Sequence, residues 1–361
     1  MAYTNFVGQL NPNEIFSAIY NMIISQQVFS DNIKGTYSEL VDKARVDGTL
    51  YGDTKLYYST DVLKSTDWEM DSEAAKNLLE LHRPQAPSVQ AITIDKFRQI
   101  SLTVDDYLTK RAWGDENAFG QFNSVMLGWI RETKRIYDAT TYNAFVGTNE
   151  TNEGEQQRTI TPVAGQNDAL TMAEALATLL VELKDVSRDF NDYGYLRSYD
   201  EGDLMVIWNA KHYNQLKKVD MPVIFHNEGL LNEFDQTVLP ARYFGTPVGT
   251  VASNNYTATG DEEVRSLIEK DITVGGKVIH LFPGDKLPNG AMMPETECYR
   301  VDDTIAFKVI HKNSIPYMSA FEVGTSFFNA RNLSTNHYLT FGHNTLEHLA
   351  NYPMITARFS E

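Results

Sequence analysis

Between Phe119 and Phe145 apolar residues return every third or fourth position: Phe119, Phe122, Val125, Met126, Trp129, Ile130, Ile136, Tyr137 and Phe145, with Thr133 and Thr140 in the same register. That period places them on one face of a helix. About 27 residues at 1.5 Å each make a rod of about 40 Å, longer than most globular helices. Gly147 is the expected stop. A polar stretch, GTNETNEGEQQRTITPVAGQND, then reads as a linker to Asp168. Beyond it Met172, Leu176, Leu179, Leu180, Leu183, Val186 and Phe190 mark a second amphipathic helix. The run from Asp203 to Trp208 is almost wholly apolar, as in a strand covered on both faces, and Asn209 is placed to cap a helix through Tyr213, Leu216 and Val219.

Upstream of the long helix the period changes. Lys55 to Thr60 is rich in aromatic and β-branched residues, and Val89–Ile94 and Arg98–Val104 alternate apolar with polar, which predicts strands. Ser72 to Leu81 has a helical pattern that Pro84 and Pro87 interrupt. So few of these residues can form a core that the region is expected to be a long projecting hairpin. At the N-terminus Asn13 could cap a helix carrying Ile15, Phe16, Ile19, Tyr20, Ile23 and Ile24, or the segment could be an arm docked on a neighbour. Downstream, Leu239–Val251 reads as a strand, a Gly-Thr-Pro turn and a strand. Ser253–Asp261 reads as a polar loop, and Gly275-Gly276 as a hairpin turn into a strand at Lys277–Phe282. Thr304–Ile310, Met318–Phe327 and Met354–Phe359 are also expected to be extended. No internal repeat is present, which removes solenoids and propellers.

Composition narrows the function classes. The 361 residues carry 31 basic and 48 acidic side chains, a net charge of −17. Such a chain has no basic footprint for gripping duplex DNA or an anionic membrane, although it suits a wall that DNA must not stick to. The single cysteine, Cys298, excludes an intrachain disulfide framework and a multi-cysteine zinc site, and is read as a small core residue. No signal-peptide pattern and no apolar run of about 18 residues occurs, which points to a cytoplasm or an assembly built in one.

Candidate chemistry is sparse. His337, His343 and His348 crowd the C-terminal region, but the last two are five positions apart, which turns them to different faces of a helix. Gly275-Gly276-Lys277 lacks the phosphate-loop frame, and Gly284 to Gly290 reads as consecutive turns. The acid pairs Asp105-Asp106, Glu262-Glu263 and Asp302-Asp303 would point to opposite faces of a strand, so neither member helps the other as a catalytic dyad. No catalytic residue, cofactor site or metal site is expected, and the chain reads as a non-enzyme. The 19 Tyr, 18 Phe and 4 Trp are more telling, because many fall where no local core can bury them. Phe6, Phe16, Tyr20 and Phe29 in the arm, with Tyr51, Tyr57, Tyr58 and Trp68 in the hairpin, are the subunit-interface candidates.

The order of parts resembles the major capsid protein of tailed bacteriophages, a mixed α+β fold shared with encapsulins. The likeness rests on three stretches: the spine FGQFNSVMLGWIRETKRIYDATTYNAF, the helix–strand–helix unit from Glu174 to Val219, and the tail with FEVGTSFFNARN and Tyr352 to Ala357. It implies an N-terminal arm at 1–33, a β-rich extended loop region at 34–112 and a peripheral domain with the spine helix at 113–190. A mainly axial α/β domain at 191–310 follows, with C-terminal strands at 311–361 completing both. It further implies self-assembly into pentamers and hexamers of an icosahedral shell around packaged double-stranded DNA, bound without sequence specificity. A portal protein would occupy one vertex, no membrane would be involved, and assembly would take place in the host cytoplasm. Because the chain opens with Met1 close to the arm, a separate scaffolding protein is expected rather than a fused one. Lys55 and Lys64 lie where some members crosslink, but are read as solvated. The alternatives are an encapsulin-type compartment holding enzyme cargo, a tail or portal part forming rings or tubes, and a cytoplasmic α/β enzyme.

Overall fold

A computed structural model of the chain describes residues 37–48, 52–65, 67, 81, 83–105, 116–151, 156–165, 168–216, 235–260 and 262–360. The first elements are α1 (Glu39–Ala44), β1 (Arg45–Asp47), β2 (Thr54–Ser59), β3 (Ser88–Asp105) and α2 (Glu116–Thr148). Then come β4 (Gln157–Ile160), α3 (Asp168–Lys184), β5 (Leu204–Asn209), α4 (Ala210–Leu216) and β6 (Asp235–Leu239). A run of short strands follows: β7 (Gly245–Pro247), β8 (Asn255–Thr257), β9 (Val264–Ser266), β10 (Lys270–Val274), β11 (Lys277–Leu281), β12 (Met292–Pro294) and β13 (Cys298–Val301). The chain closes with β14 (Ile305–His311), β15 (Tyr317–Asn329), β16 (Ser334–Asn344) and β17 (Met354–Phe359).

The centre is a mixed five-stranded sheet in the order β4-β17-β14-β5-β6. All six residues of β5 are buried because both faces of this sheet are covered. Leu204, Val206 and Trp208 pack with Phe307, Val309 and Ile355 against Met172, Leu176, Leu179, Leu180 and Leu183 of α3. On the other face Met205, Ile207 and Met354 meet Ala139, Tyr142 and Val146 of α2, with Leu40 and Val41 of α1 alongside. Asn209 leaves β5 and its Oδ1 accepts from the Lys211 amide at 3.0 Å, which is the cap expected for α4.

A second five-stranded sheet, β1-β15-β16-β3-β2, is built from long strands. The two strands expected at 89–94 and 98–104 are one strand of 18 residues. Asp95 interrupts the alternation without turning the chain, because its carboxylate accepts from the Thr345 amide at 2.8 Å beside a bulge against β16. The N-terminal part of β3 pairs with β2 and the rest with β16. Ile92 and Ile94 form a small core with Met318 and Leu349. The expected polar loop at 253–261 contains β8, which pairs with β12, and the expected Gly-Thr-Pro turn is β7, which pairs with β13. These short strands enclose a third apolar cluster around Cys298, Leu281 and Met293. Gly275 and Gly276 form the β10–β11 hairpin turn with φ of +58° and +78°, a conformation that glycine adopts without strain. The linker after α2 also holds a strand, β4, which pairs parallel with β17 through Thr356 to Phe359.

Helix α2 is the common wall of both sheets. Its 33 residues make about 50 Å at 1.5 Å per residue. From Tyr142 to Thr148 it is buried nearly all round, so the one-sided pattern read from the sequence fades there. Gly147 does not stop the helix but lies inside its last turn, where a Cβ would stand 2.0 Å from the Tyr243 carbonyl oxygen. Past that end, Lys308 at the middle of β14 is fully buried and donates to the Asn149 carbonyl at 2.7 Å. Burial pushes its pKa down to about 8, against the pull of Glu150.

Two outcomes follow from this packing. Gly147→Ala should destabilise the chain by about 3 kcal/mol through overpacking against backbone. Gly128→Ala, with open space at its Cβ, should stabilise it by up to about 1 kcal/mol; thermal unfolding of both reads the contrast. For Lys308, the lysine is charged in both states below pH 8 and the fold bears its full burial penalty. Between about 8 and 10.5 the folded chain has lost the proton that the unfolded chain keeps, so this group's contribution rises with pH, by about 3 kcal/mol in all. Denaturant unfolding of wild type and Lys308→Met across that interval should diverge by that slope.

Candidate assembly surfaces

Of the eight aromatic candidates, Phe6, Phe16, Tyr20, Phe29, Tyr51 and Trp68 lie outside the described residues. Tyr57 and Tyr58 are neighbours on β2 and therefore point to opposite faces. Tyr57 is half-buried against the Ile92, Ile94, Met318 and Leu349 cluster, and burial raises its pKa. It anchors the ribbon to the body. Tyr58 is 64% exposed and stands opposite Val89, itself 49% exposed, with Leu56 one pleat away on the same face. Val62 and Leu63 continue the apolar exposure toward the end of the ribbon. A face of this kind gains nothing in a solitary chain.

The ribbon is held to the body by polar contacts at its far end. Asp61 accepts from the Arg188 guanidinium at 2.7 Å and from the Leu196 amide at 3.1 Å. The Arg197 guanidinium donates to the Thr60 carbonyl at 2.7 Å, and the Ser88 and Tyr195 hydroxyls share a hydrogen bond of 2.6 Å. The bond from Arg188, with the backbone donors, holds the Asp61 carboxyl down at about 2. Nearer the base, the Gln90 amide bridges the His348 carbonyl and the Ala350 amide at 2.9 and 3.0 Å.

At the junction of α2 with the long-stranded sheet lies a buried polar cluster. Asp138, fully buried, accepts from Arg45 at 3.0 Å, Lys134 at 2.9 Å and the Tyr317 hydroxyl at 2.7 Å. Tyr317 also stacks on His343, whose Nε2 lies 2.8 Å from the Tyr137 hydroxyl. Burial pushes the His343 pKa down, which keeps a neutral imidazole there. These groups satisfy one another, and the arrangement binds helix to sheet.

The remaining titratable groups do not converge. Asp302 accepts from Thr304, whereas Asp303 pairs with Lys211 at 2.7 Å. Glu262 faces Arg300 at 3.3 Å and Glu263 pairs with Arg265. His348 stands 3.6 Å from Asp192, and His337 lines a surface groove away from both His343 and His348 contacts. Cys298 is buried, and burial with the nearby Glu295 and Glu297 raises its thiol to about 11, far from a reactive thiolate. Among the described residues no three His, Cys, Asp or Glu side chains gather where they could hold a metal ion.

A family model of the Phi29-like phage major capsid protein matches residues 6–346. The chain belongs to this family. Its fold is that of phage capsid structures. One similar chain comes from the capsid of Staphylococcus phage Andhra, with a TM-score of 0.60 at 11% identity over 88% of this chain and 83% of that one. Another comes from the structure of the head fiber and inner core protein gp22 of native bacteriophage P68, with a TM-score of 0.58 at 11% identity over the same shares. No curated protein sequence matches. As a phage major capsid protein, the chain is a structural component of a virion.

Aromatic content led to only part of the exposed apolar surface. Leu56 and Val89 were legible as the outward positions of alternating strands once the burial of Tyr57 set the parity. Phe327 and Phe328, 64% and 51% exposed, lie in a stretch read simply as a closing strand. The latch at Asp61 is set by tertiary contacts and left no mark in the sequence. Because the folded Asp61 pKa is depressed, its contribution is present above the ordinary aspartate range and is lost only as pH falls through about 2. Amide exchange at Leu196, corrected for intrinsic rate, should therefore stay constant from pH 7 to about pH 4 and rise several-fold in Asp61→Asn.

Proposed function

We propose that this capsid protein assembles as pentamers and hexamers that close into an icosahedral shell around packaged double-stranded DNA. The observation that carries the reading is the family match over nearly the whole chain, and the exposed Leu56, Tyr58 and Val89 face supports it with a surface that needs a partner. In this reading 1–33 is an N-terminal arm and 34–112 an extended loop region, both lying across neighbouring subunits. The peripheral domain is 113–190, built on α2, and 191–310 is mainly the axial domain. Residues 311–361 complete both.

Phe6, Phe16, Tyr20, Phe29, Tyr51 and Trp68 join Tyr57 and Tyr58 as interface residues, Tyr57 by fixing the ribbon that presents the rest. A separate scaffolding protein sets the curvature, and a portal protein occupies one vertex. Assembly takes place in the host cytoplasm. The net charge of −17 suits a wall along which DNA slides without sequence-specific binding. Each contact is modest, but several surfaces join one subunit to its neighbours, so stability is collective and the function is assembly rather than catalysis.

Negative-stain electron microscopy of the full chain, with and without its scaffolding partner, tests this. Closed shells of uniform size are the expected result. Small oligomers alone, even with the partner present, would count against it, and tubes or rings would indicate a tail or portal part. Leu56→Ser with Tyr58→Ser should leave the thermal midpoint nearly unchanged, because both side chains are exposed, and should lower shell yield at least tenfold.

A further inference from the structure

Beyond the reach of β1 and β2, the strands β15, β16 and β3 continue as a three-stranded ribbon. Its two outer edges differ. Along β3 the charged residues Asp95, Lys96, Arg98 and Asp105 bracket the edge, and alternate residues from Arg98 to Val104 are partly or fully buried. Charges on an edge discourage pairing with another chain. Along β15 every residue from Glu322 to Phe328 is exposed, and the run Val323-Gly324-Thr325-Ser326-Phe327-Phe328-Asn329 holds no charge and no proline. Glu322, at the start, is drawn back to Lys134 at 3.5 Å. Among the described residues nothing pairs with this edge beyond Ser319. Past the irregularity between Ser319 and Glu322, an edge strand that carries no charge from Val323 to Asn329 is a template for another strand.

The run can oppose a second copy of itself in one antiparallel register. If two copies pair antiparallel about Thr325, that threonine faces its own counterpart, Val323 faces Phe327, Gly324 faces Ser326 and Glu322 faces Phe328. Opposed residues lie on the same face of a sheet, so Val323, Thr325 and Phe327 of both copies form one outer stripe of β-branched and aromatic pairs. The other face of β15 turns toward α2. There a groove of about 480 Å³ is lined by Ile130 and Arg131 of α2 with Glu322, Gly324, His337 and Leu339. This register brings Phe328 of the second copy beside Glu322 at the groove. The same pairing sets Phe327 against Val323 on the outer face.

We propose that the outer edge of β15, from Glu322 to Phe328, pairs antiparallel with the same edge of a second copy of this chain, centred on Thr325. The proposal rests on the capsid reading and names one surface by which its copies join, an isologous contact with a two-fold axis.

The test uses the full-length chain. Residues directly opposed in antiparallel strands have Cα atoms about 4.5–5.5 Å apart, within disulfide range, so Thr325→Cys should give disulfide-linked dimers on mild oxidation. Thr103→Cys, exposed on the same face at the other edge, should give none, and Cys298 stays out of reach in the core. Val323→Lys with Thr325→Lys places charge on the edge; it should keep the circular dichroism of the wild type and cut the assembled fraction at least tenfold. Wild-type shells without Thr325→Cys dimers would overturn the strand pairing and leave the capsid reading standing. Dimers without shells under any condition would uphold the pairing and overturn the shell reading. Equal crosslinking of both cysteine variants, or undiminished assembly of the lysine variant, would also overturn the pairing.

Discussion

The two five-stranded sheets of this capsid protein meet along one helix, and that junction is fixed by the fully buried carboxylate of Asp138. Burying such a group is costly unless partners hydrogen-bond to it. Here Arg45 comes from the strand next to α1, Lys134 from one turn earlier on α2, and the Tyr317 hydroxyl from the start of β15, so three elements converge on one side chain. Removing one partner of a buried ionic cluster typically costs about 3–5 kcal/mol, because the remaining charge is stranded. The Tyr317 hydroxyl, whose pKa burial and Asp138 both push up, stays protonated and donates to the Asp138 carboxylate. The cluster therefore accepts one geometry. It fixes the rotation of α2, and with it the angle at which the long-stranded ribbon leaves the central sheet.

Where periodicity is set by burial on one face, the sequence was readable. Helix α3 follows the spacing of Leu176 to Leu183 but ends at Lys184, short of the expected Val186 and Phe190, and the capped unit β5–α4 follows the run ending at Asn209, because each packs one stripe or two covered faces against a single layer. The misreadings share a cause as well. Asp95 and Lys96 fall in the gap between two expected strands, yet a side-chain contact to Thr345 keeps β3 extended. Gly147 looks like a helix stop, yet it is a point of close approach to Tyr243. The strands β4, β7 and β8 are polar or very short and are strands only because a distant partner supplies the ladder. Long-range contact overrides local preference at each of these points.

The exposed apolar faces were legible in kind but not in full. An excess of aromatics said that something must cover them, and Tyr57 and Tyr58 show that even adjacent residues divide the work. One is sunk into the Ile92–Leu349 cluster and the other is held out. Parity along the strand decides which is which, and parity depends on where β2 meets β3. Phe327 and Phe328 escaped notice because consecutive phenylalanines in a strand imply two apolar faces, which in an isolated domain would signal a core strand. On β15 the same signal marks an edge with no core on either side.

That difference bears on how such a subunit avoids premature aggregation. A chain with apolar faces on β2 and on β15 carries its exposed patches on ribbons that ion pairs tie to the body: Asp61 with Arg188 just past the end of β2, and Asp138 with Arg45 and Lys134 at the root of the other. The patches are thus held apart on one molecule and cannot collapse on each other. Surface charge of −17 opposes random encounters at a distance, while the uncharged patches lose nothing when they meet in register. Rigid presentation lowers the ordering cost of each contact, so weak contacts suffice. A shell built from many weak, rigidly presented contacts can correct errors while it grows and is held firmly only once it is closed.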